Sequence, residues 1–131
     1  MMLLIYFAAV LYITVLSREP EGRRYDMEPF RSYSLLLDGN GFYFNQIFYN
    51  ILMTVPFGML VPLVSKKIRT LPSITFAGFC FSFAIELTQY ITGRGLFEFD
   101  DLFNNTIGAV LGYIFFLILS GVMIVYLRGK K

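Results

Sequence analysis

The stretch LPSITFAGFCFSFAIELTQYITGRGLFEFDDLFNN, residues 71–105, decides the fold of this chain. It joins the end of one apolar run to the start of the next through a group of acids, amides and one arginine. The run 71–91 is long enough to cross a membrane as a helix, yet it contains Glu86 and Gln89. An ionisable side chain in such a helix costs at least ~2.5 kcal/mol, so Glu86 marks a candidate functional site.

Composition places the whole chain in the membrane class. Of its 131 residues, 56% are hydrophobic and only 15% are charged, whereas an average soluble domain carries about 25% charged residues. Further apolar runs cover residues 2–16, 44–64 and 104–126. We therefore predict an all-α integral membrane bundle of four transmembrane helices, built as a single domain over residues 1–131.

The segment between the first two runs, residues 17–44, is predicted to lack a domain of its own. Its centre, Asp38-Gly39-Asn40-Gly41, is a turn sequence, because glycine and asparagine tolerate positive φ. The flanks 29–37 and 42–49 are rich in aromatic residues and leucine. These flanks are predicted to be interfacial or re-entrant segments that lead into the second span.

Four spans place the first and third loops on the same side of the membrane. The polar residues of three spans then converge near that side, at a shared depth. These residues are Asn50 in the second span, Glu86 and Gln89 in the third, and Asp100, Asp101, Asn104 and Asn105 at the start of the fourth. Arg94 and Glu98 lie in the loop between the last two spans. The sequence therefore predicts one polar pocket.

The distribution of Lys and Arg predicts the orientation. The side opposite the pocket carries six, at positions 66, 67, 69, 128, 130 and 131, and the pocket side carries five, at 18, 23, 24, 31 and 94. Because Lys and Arg accumulate in cytoplasmic loops, both termini are predicted to be cytoplasmic and the pocket to face outward.

The acids admit two interpretations. Asp100 and Asp101 suit the N-terminus of a helix, where aspartate caps free N–H groups. A second aspartate close to Glu98 adds repulsion unless Arg94, a divalent cation or a cationic ligand binds there. Gln89 alone would be explained by a hydrogen bond between helices. Both the structural and the ligand-binding interpretations remain open from the residues.

Small residues predict close helix packing. Gly108 and Gly112 lie four apart on one helix face, which permits a second helix to approach, within the chain or in a dimer. Pro56 and Gly58 in the second span predict either a kink beside the pocket or simple packing.

The chain has no histidine, one cysteine and a net charge of +2. It thus lacks the commonest general base and transition-metal ligand, and its charge is too small to indicate nucleic-acid binding. No cofactor, no metal and no catalytic residue is assigned.

In order and spacing, several motifs resemble the VanZ-like family of small bacterial membrane proteins. They are Pro29-Phe30, Asn50 through Pro56-Phe57-Gly58, Glu86-x-x-Gln89, Arg94, Glu98-x-Asp100-Asp101, and Asn105-Thr106-x-Gly108-x-x-x-Gly112-Tyr113. Glu98 departs from the family pattern, which more often has aspartate there. The resemblance implies a multi-pass protein of the bacterial cell membrane, in a family named for a member that lowers susceptibility to the glycopeptide teicoplanin.

Three functions are compatible with these residues. We favour a non-enzymatic envelope protein that binds a membrane lipid headgroup, a cell-wall precursor or a glycopeptide, with Arg94 on a phosphate and Glu86, Asp100 and Asp101 on a cation or amine. Asn50, Gln89 and Asn105 would complete the hydrogen bonds. The alternatives are an intramembrane enzyme with Glu86 as base and a metal on Asp100 and Asp101, and a structural partner of another membrane protein.

Overall fold

A computed structural model describes residues 1–128 of the chain; Lys130 and Lys131, which entered the orientation count, lie outside the described residues. The chain is mostly helical. Its elements in order are α1 (Met2–Leu11), which continues as a π-helical turn (Tyr12–Leu16), then β1 (Arg24–Asp26), α2 (Arg31–Leu37), α3 (Phe42–Val64), α4 (Leu71–Thr92), β2 (Leu96–Glu98) and α5 (Phe99–Arg128).

Three of the helices, α3, α4 and α5, are long and apolar enough to cross a membrane. The first apolar helix, Met2–Leu16, is shorter. At 1.5 Å per residue it rises only ~22 Å, against a hydrocarbon core of ~30 Å. The membrane class is therefore confirmed, whereas the count of four crossings stays a prediction.

The segment after the first helix differs in part from expectation. Residues 24–26 form β1, which pairs in parallel with β2 and aligns Tyr25 with Phe97. A further backbone bond, from Glu21 N–H to the Gly93 carbonyl at 2.8 Å, joins the same two loops. The predicted flank 29–37 contains the separate helix α2, and the flank 42–49 forms the first two turns of α3, which begins at Phe42.

Helices α3 and α5 run in parallel and approach at backbone distance. A Cβ atom on Gly108 would overlap the Ile51 carbonyl, and one on Gly58 would overlap the Ala109 carbonyl. The hydroxyl of Thr54 donates to the Asn105 carbonyl at 2.7 Å across the same interface. Gly58 and Gly108 thus permit close packing of α3 against α5 within the chain.

Proline residues interrupt the hydrogen bonds of α3 without ending it. The helix contains Pro56 and Pro62 and continues to Val64. Arg69 Nε donates to the Pro62 carbonyl at 2.8 Å, and the Tyr6 hydroxyl donates to the Met53 carbonyl at 3.0 Å. Side chains from neighbouring elements therefore bind backbone carbonyls around the prolines, as an apolar environment requires.

The apolar core lies in the half of the bundle away from the polar residues. Its buried members are Phe57, Val61, Ile74, Ala109 and Tyr113. The Tyr113 hydroxyl donates to the Arg69 carbonyl in the loop between α3 and α4. Because 15 residues of α5 follow Tyr113, its last part extends ~22 Å beyond that loop.

Candidate functional site

Asp100 holds α2 against the bundle. Its Oδ1 accepts the Phe30 N–H at 2.6 Å and its Oδ2 accepts the Ser32 N–H at 2.7 Å. Phe30 has the left-handed backbone conformation, φ 60°, which directs its N–H towards the carboxylate. Asp100 is 3% exposed. This acid therefore caps a helix, but the helix is α2 and not the one that contains Asp100.

Three further acids form a connected polar chain. Glu86 in α4 accepts the backbone N–H of Glu98 at 3.1 Å. The Glu98 carboxylate accepts Gln46 Nε2 at 2.8 Å, and Gln46 lies one turn before Asn50 on α3. Asn50 Nδ2 in turn donates to Asp101 Oδ1. Helices α3, α4 and α5 and strand β2 thus place their acids and amides together.

These acids lack a close counter-charge. In the described part of the chain, the Lys and Arg ion pairs within 4 Å are confined to the loop, where Arg24 pairs with Glu21 and Arg31 pairs with Asp26 and Glu28. Burial raises the pKa of Glu98 above its ordinary value, while the hydrogen bond from Gln46 and the charge of Arg18 act in the opposite direction. The cluster therefore holds acids where water is scarce, and their ionised forms are disfavoured unless a positive charge is supplied.

The pKa of Glu98 gives a prediction for stability against pH. Because its folded-state pKa is raised above 4.5, the folded protein binds this proton more tightly than the unfolded chain does. The free energy of unfolding that this tighter proton binding contributes is fully present below pH 4.5. It is lost as pH rises through the folded-state pKa of Glu98. Between pH 4.5 and about 8, the Tm in detergent should fall less in Glu98→Gln than in the wild type.

The control is Asp38→Asn, at an exposed acid after α2, which should retain the wild-type pH profile. Identical pH slopes in Glu98→Gln and the wild type would show that Glu98 does not titrate differently on folding.

Three of the predicted amide residues form hydrogen bonds to neighbouring elements, and each of the three has one buried polar atom without a partner among residues 1–128. Gln89 Nε2 donates to the Thr14 carbonyl at 3.1 Å, and Asn105 Nδ2 donates to Ser82 Oγ at 3.0 Å. Asn104 Oδ1 accepts the Tyr33 hydroxyl. Among residues 1–128, the buried atoms Gln89 Oε1, Asn104 Nδ2 and Asn105 Oδ1 have no hydrogen-bond partner. Unpaired buried polar atoms are costly and often indicate an absent ligand or water.

Arg94 is not part of this group. Its Nη1 donates to the carbonyls of Arg18 at 2.9 Å and Leu16 at 3.4 Å. It lines a neighbouring cavity of ≈380 Å³ together with Arg18 and Arg24. The structure therefore brings together Asn50, Glu86 and Asp101, keeps Asp100 as a cap, and assigns Arg94 to the junction of the loops.

Sequence reasoning missed Gln46 and Arg18. Gln46 could have been found from its position one helical turn before Asn50, on the same face. Arg18 follows the first apolar run directly, so its charge was counted for orientation without being assigned to the site. Tyr33 and Ser82 gave no local signal, because their partners Asn104 and Asn105 are distant in sequence.

A cavity of ≈710 Å³ opens beside the acids. Its floor includes Glu98 and Asp100, and its walls come from the loop around β1 and from Tyr43. Three arginines line it, Arg23, Arg24 and Arg31. Within residues 1–128, no group of three or more His, Cys, Asp or Glu side chains is arranged to hold a metal ion.

Long apolar helices with buried acids at one end define a helical membrane protein. The chain belongs to the VanZ/LLP1 family, whose model matches residues 3–120. It is similar to Protein VanZ of Enterococcus faecium, with 32% identity over 69 residues that cover 53% of this chain and 42% of that protein. The chain thus spans less than half the length of that relative, and no solved structure matches it. The family resemblance read from the motifs is confirmed.

Proposed function

We propose that this chain is a cell-envelope membrane protein that binds the headgroup of a membrane lipid or of a lipid-linked cell-wall precursor. The observation that carries the proposal is the set of Glu86, Glu98 and Asp101, each of which accepts a hydrogen bond but has no ion pair within the part of the chain described. Anions in an apolar environment are costly unless a positive charge is supplied. A ligand with an amine or another cation would supply it.

The arginines of the ≈710 Å³ cavity that Glu98 and Asp100 line, which we call the headgroup cavity, support a phosphate as a second group of the ligand. Arg23, Arg24 and Arg31 stand on the wall of the cavity whose floor is Glu98 and Asp100. Guanidinium groups bind phosphate oxygens with paired hydrogen bonds. Arg24 and Arg31 already pair with Glu21, Asp26 and Glu28. The phosphate contact that the sequence assigned to Arg94 is therefore proposed for Arg23. A ligand that carries both a phosphate and an amine fits this separation of charge.

The metal-assisted enzyme is less well supported. Asp100, which was to hold the metal, already accepts one backbone N–H on each oxygen. The structural-partner alternative would require a fully paired cluster, but three buried amide atoms among residues 1–128 have no partner. We therefore favour ligand binding over both.

The family adds a phenotype to the proposal, and the Lys and Arg count adds an orientation. We propose that both termini lie in the cytoplasm and that the headgroup cavity faces the outer leaflet, where cell-wall precursors are exposed. Expression in a teicoplanin-susceptible bacterium is then expected to lower susceptibility to teicoplanin, and the variant Asp101→Asn to lose the effect at equal protein abundance.

Binding to purified protein tests the proposal directly. The probes are undecaprenyl phosphate, phosphatidylethanolamine and teicoplanin, titrated separately in detergent. At least one should bind, and Glu98→Gln and Asp101→Asn should each weaken it about tenfold, since losing one partner of a buried charge contact costs at least ~1.4 kcal/mol. The exposed-acid variant Asp38→Asn is the control. If no probe binds, or all variants bind equally, the proposed function is wrong.

A further inference from the structure

A groove of ≈450 Å³ runs along the bundle between the first helix and α3. It shares no lining residue with the headgroup cavity. Its walls are apolar over most of their length and consist of Ala9, Val10, Ile13, Leu52, Met53 and Pro56. The first helix lines it from Tyr6 to Thr14, a rise of ~12 Å, and Arg18 lies just beyond the end of that helix at Leu16.

The charged and amide groups of the groove lie at one end only. Thr14, Arg18 and Asn50 line that end, and Asn50 connects it to the acids through its bond to Asp101. No carboxylate among residues 1–128 lies within 4 Å of Arg18. Its charge lowers the pKa of Glu98 against the larger effect of burial. The end of the groove therefore presents a cation near the acids, to which Asn50 connects it.

We propose that this groove holds one hydrocarbon chain of a zwitterionic phospholipid with a primary ammonium, whose phosphate contacts Arg18 and whose ammonium faces Asp101 and Glu98. This inference rests on the proposed function, because it assigns the missing positive charge of the acids to a lipid amine. It adds the lipid class and the path of the chain, and for this lipid it moves the phosphate contact from Arg23 of the headgroup cavity to Arg18, because the two sites share no lining residue.

Charge complementarity selects this occupant. A lipid with an anionic headgroup and no amine would add negative charge beside Asp101 and Glu98. A choline headgroup has a positive charge but no N–H with which to bind a carboxylate. A primary ammonium supplies both the charge and up to three hydrogen-bond donors, and the phosphate beside it suits a guanidinium.

Native mass spectrometry of the full chain released from detergent tests the proposal. The lipids are phosphatidylethanolamine, phosphatidylcholine and phosphatidylglycerol, added singly and in equal mixture. One phosphatidylethanolamine should be retained per chain, about fivefold above the other two lipids. Arg18→Gln should reduce its retention about fivefold, whereas Lys67→Gln, at an exposed lysine on the loop between α3 and α4, should not.

The groove is tested by filling it. Ala9→Phe should reduce retention of phosphatidylethanolamine about tenfold by occupying the path of the chain. The matched control is Ala8→Phe, because Ala8 is exposed on the same helix and does not line the groove. If Ala9→Phe fails to fold, Ile13→Trp fills the same groove from its exposed rim, with Ile5→Trp as its control.

Equal retention by the Ala9 and Ala8 variants, or by Ile13→Trp and Ile5→Trp, would overturn the groove assignment. Equal retention of the three lipids by the wild type would overturn the headgroup assignment. Binding of soluble glycerophosphoethanolamine, which has the headgroup but no hydrocarbon chain, distinguishes failure of the groove proposal from failure of the proposed function. If its binding is weakened by Glu98→Gln and unaffected by Ala9→Phe, the polar site stands even where the groove proposal fails.

Discussion

Gly112→Leu should abolish most of the folded protein. A Cβ atom at this position would overlap the Val55 carbonyl oxygen and would approach Gly58 Cα to 3.1 Å. Both neighbours belong to the backbone of α3, so no side-chain rotation relieves the overlap. Overpacking costs ~1–3 kcal/mol, and more where helices must separate. We expect Tm in detergent to fall by about 10 °C or more, measured by thermal unfolding and size-exclusion chromatography.

Gly121→Leu is the matched control. Gly121 lies on the same helix, nine residues further on, and a Cβ atom there would meet nothing within 4 Å. Its substitution should leave yield and Tm within error of the wild type. If both variants lost the same amount of folded protein, helix propensity or insertion would be responsible and the close contact of α3 and α5 would not.

The long helices could be predicted from the sequence because charged loops bound each apolar run. The prediction of 71–91 for the third span corresponds to α4, and that of 44–64 corresponds to α3, which begins two residues earlier. The fourth span was predicted to begin at 104, but α5 begins at Phe99. Its first turn includes Asp100 and Asp101, whose negative charge favours a helix N-terminus.

The loop structures could not be predicted, because their partners are distant in sequence. Strand β1 has only three residues, too few for an alternating pattern, and it exists through its pairing with β2. The end of the first helix gave a similar difficulty. Ser17 N–H donates to the Tyr12 carbonyl at 2.8 Å, a π-helical hydrogen bond that no residue pattern in the segment predicts.

The convergence of polar side chains followed from span topology, but their pairing did not. Because successive spans cross the membrane in opposite directions, Asn50, Glu86 and Asp101 are expected near the same side of the membrane. Which acid pairs with which amide depends on helix rotation and tilt, since Asn50 binds Asp101 while Glu86 binds the backbone of Glu98. A binding role for these residues stays a prediction until the variants are measured.

Asp100→Ala should release α2 from the bundle. The substitution removes the acceptor of the Phe30 and Ser32 N–H groups, and both bonds join residues about 70 apart in sequence. A hydrogen bond to a charged group contributes ~1.5–3 kcal/mol, so the loss of two is expected to destabilise the docked loop by ~3–6 kcal/mol. Hydrogen exchange of the amides in residues 30–37 should accelerate, and limited proteolysis should cut the segment 17–41.

The rest of the bundle should survive this change, because α3 and α5 remain joined through Gly108, Gly112 and the bond from Thr54 to Asn105. Amide exchange in α3 should therefore stay close to that of the wild type. Asp100→Asn, which keeps one acceptor oxygen, is expected to have an intermediate effect, and Asp38→Ala, at an exposed acid in the turn after α2, should have none. Unchanged exchange at residues 30–37 in Asp100→Ala would show that α2 is held by its aromatic contacts, since Phe30 also packs edge-on against Phe103 at 5.3 Å between ring centroids.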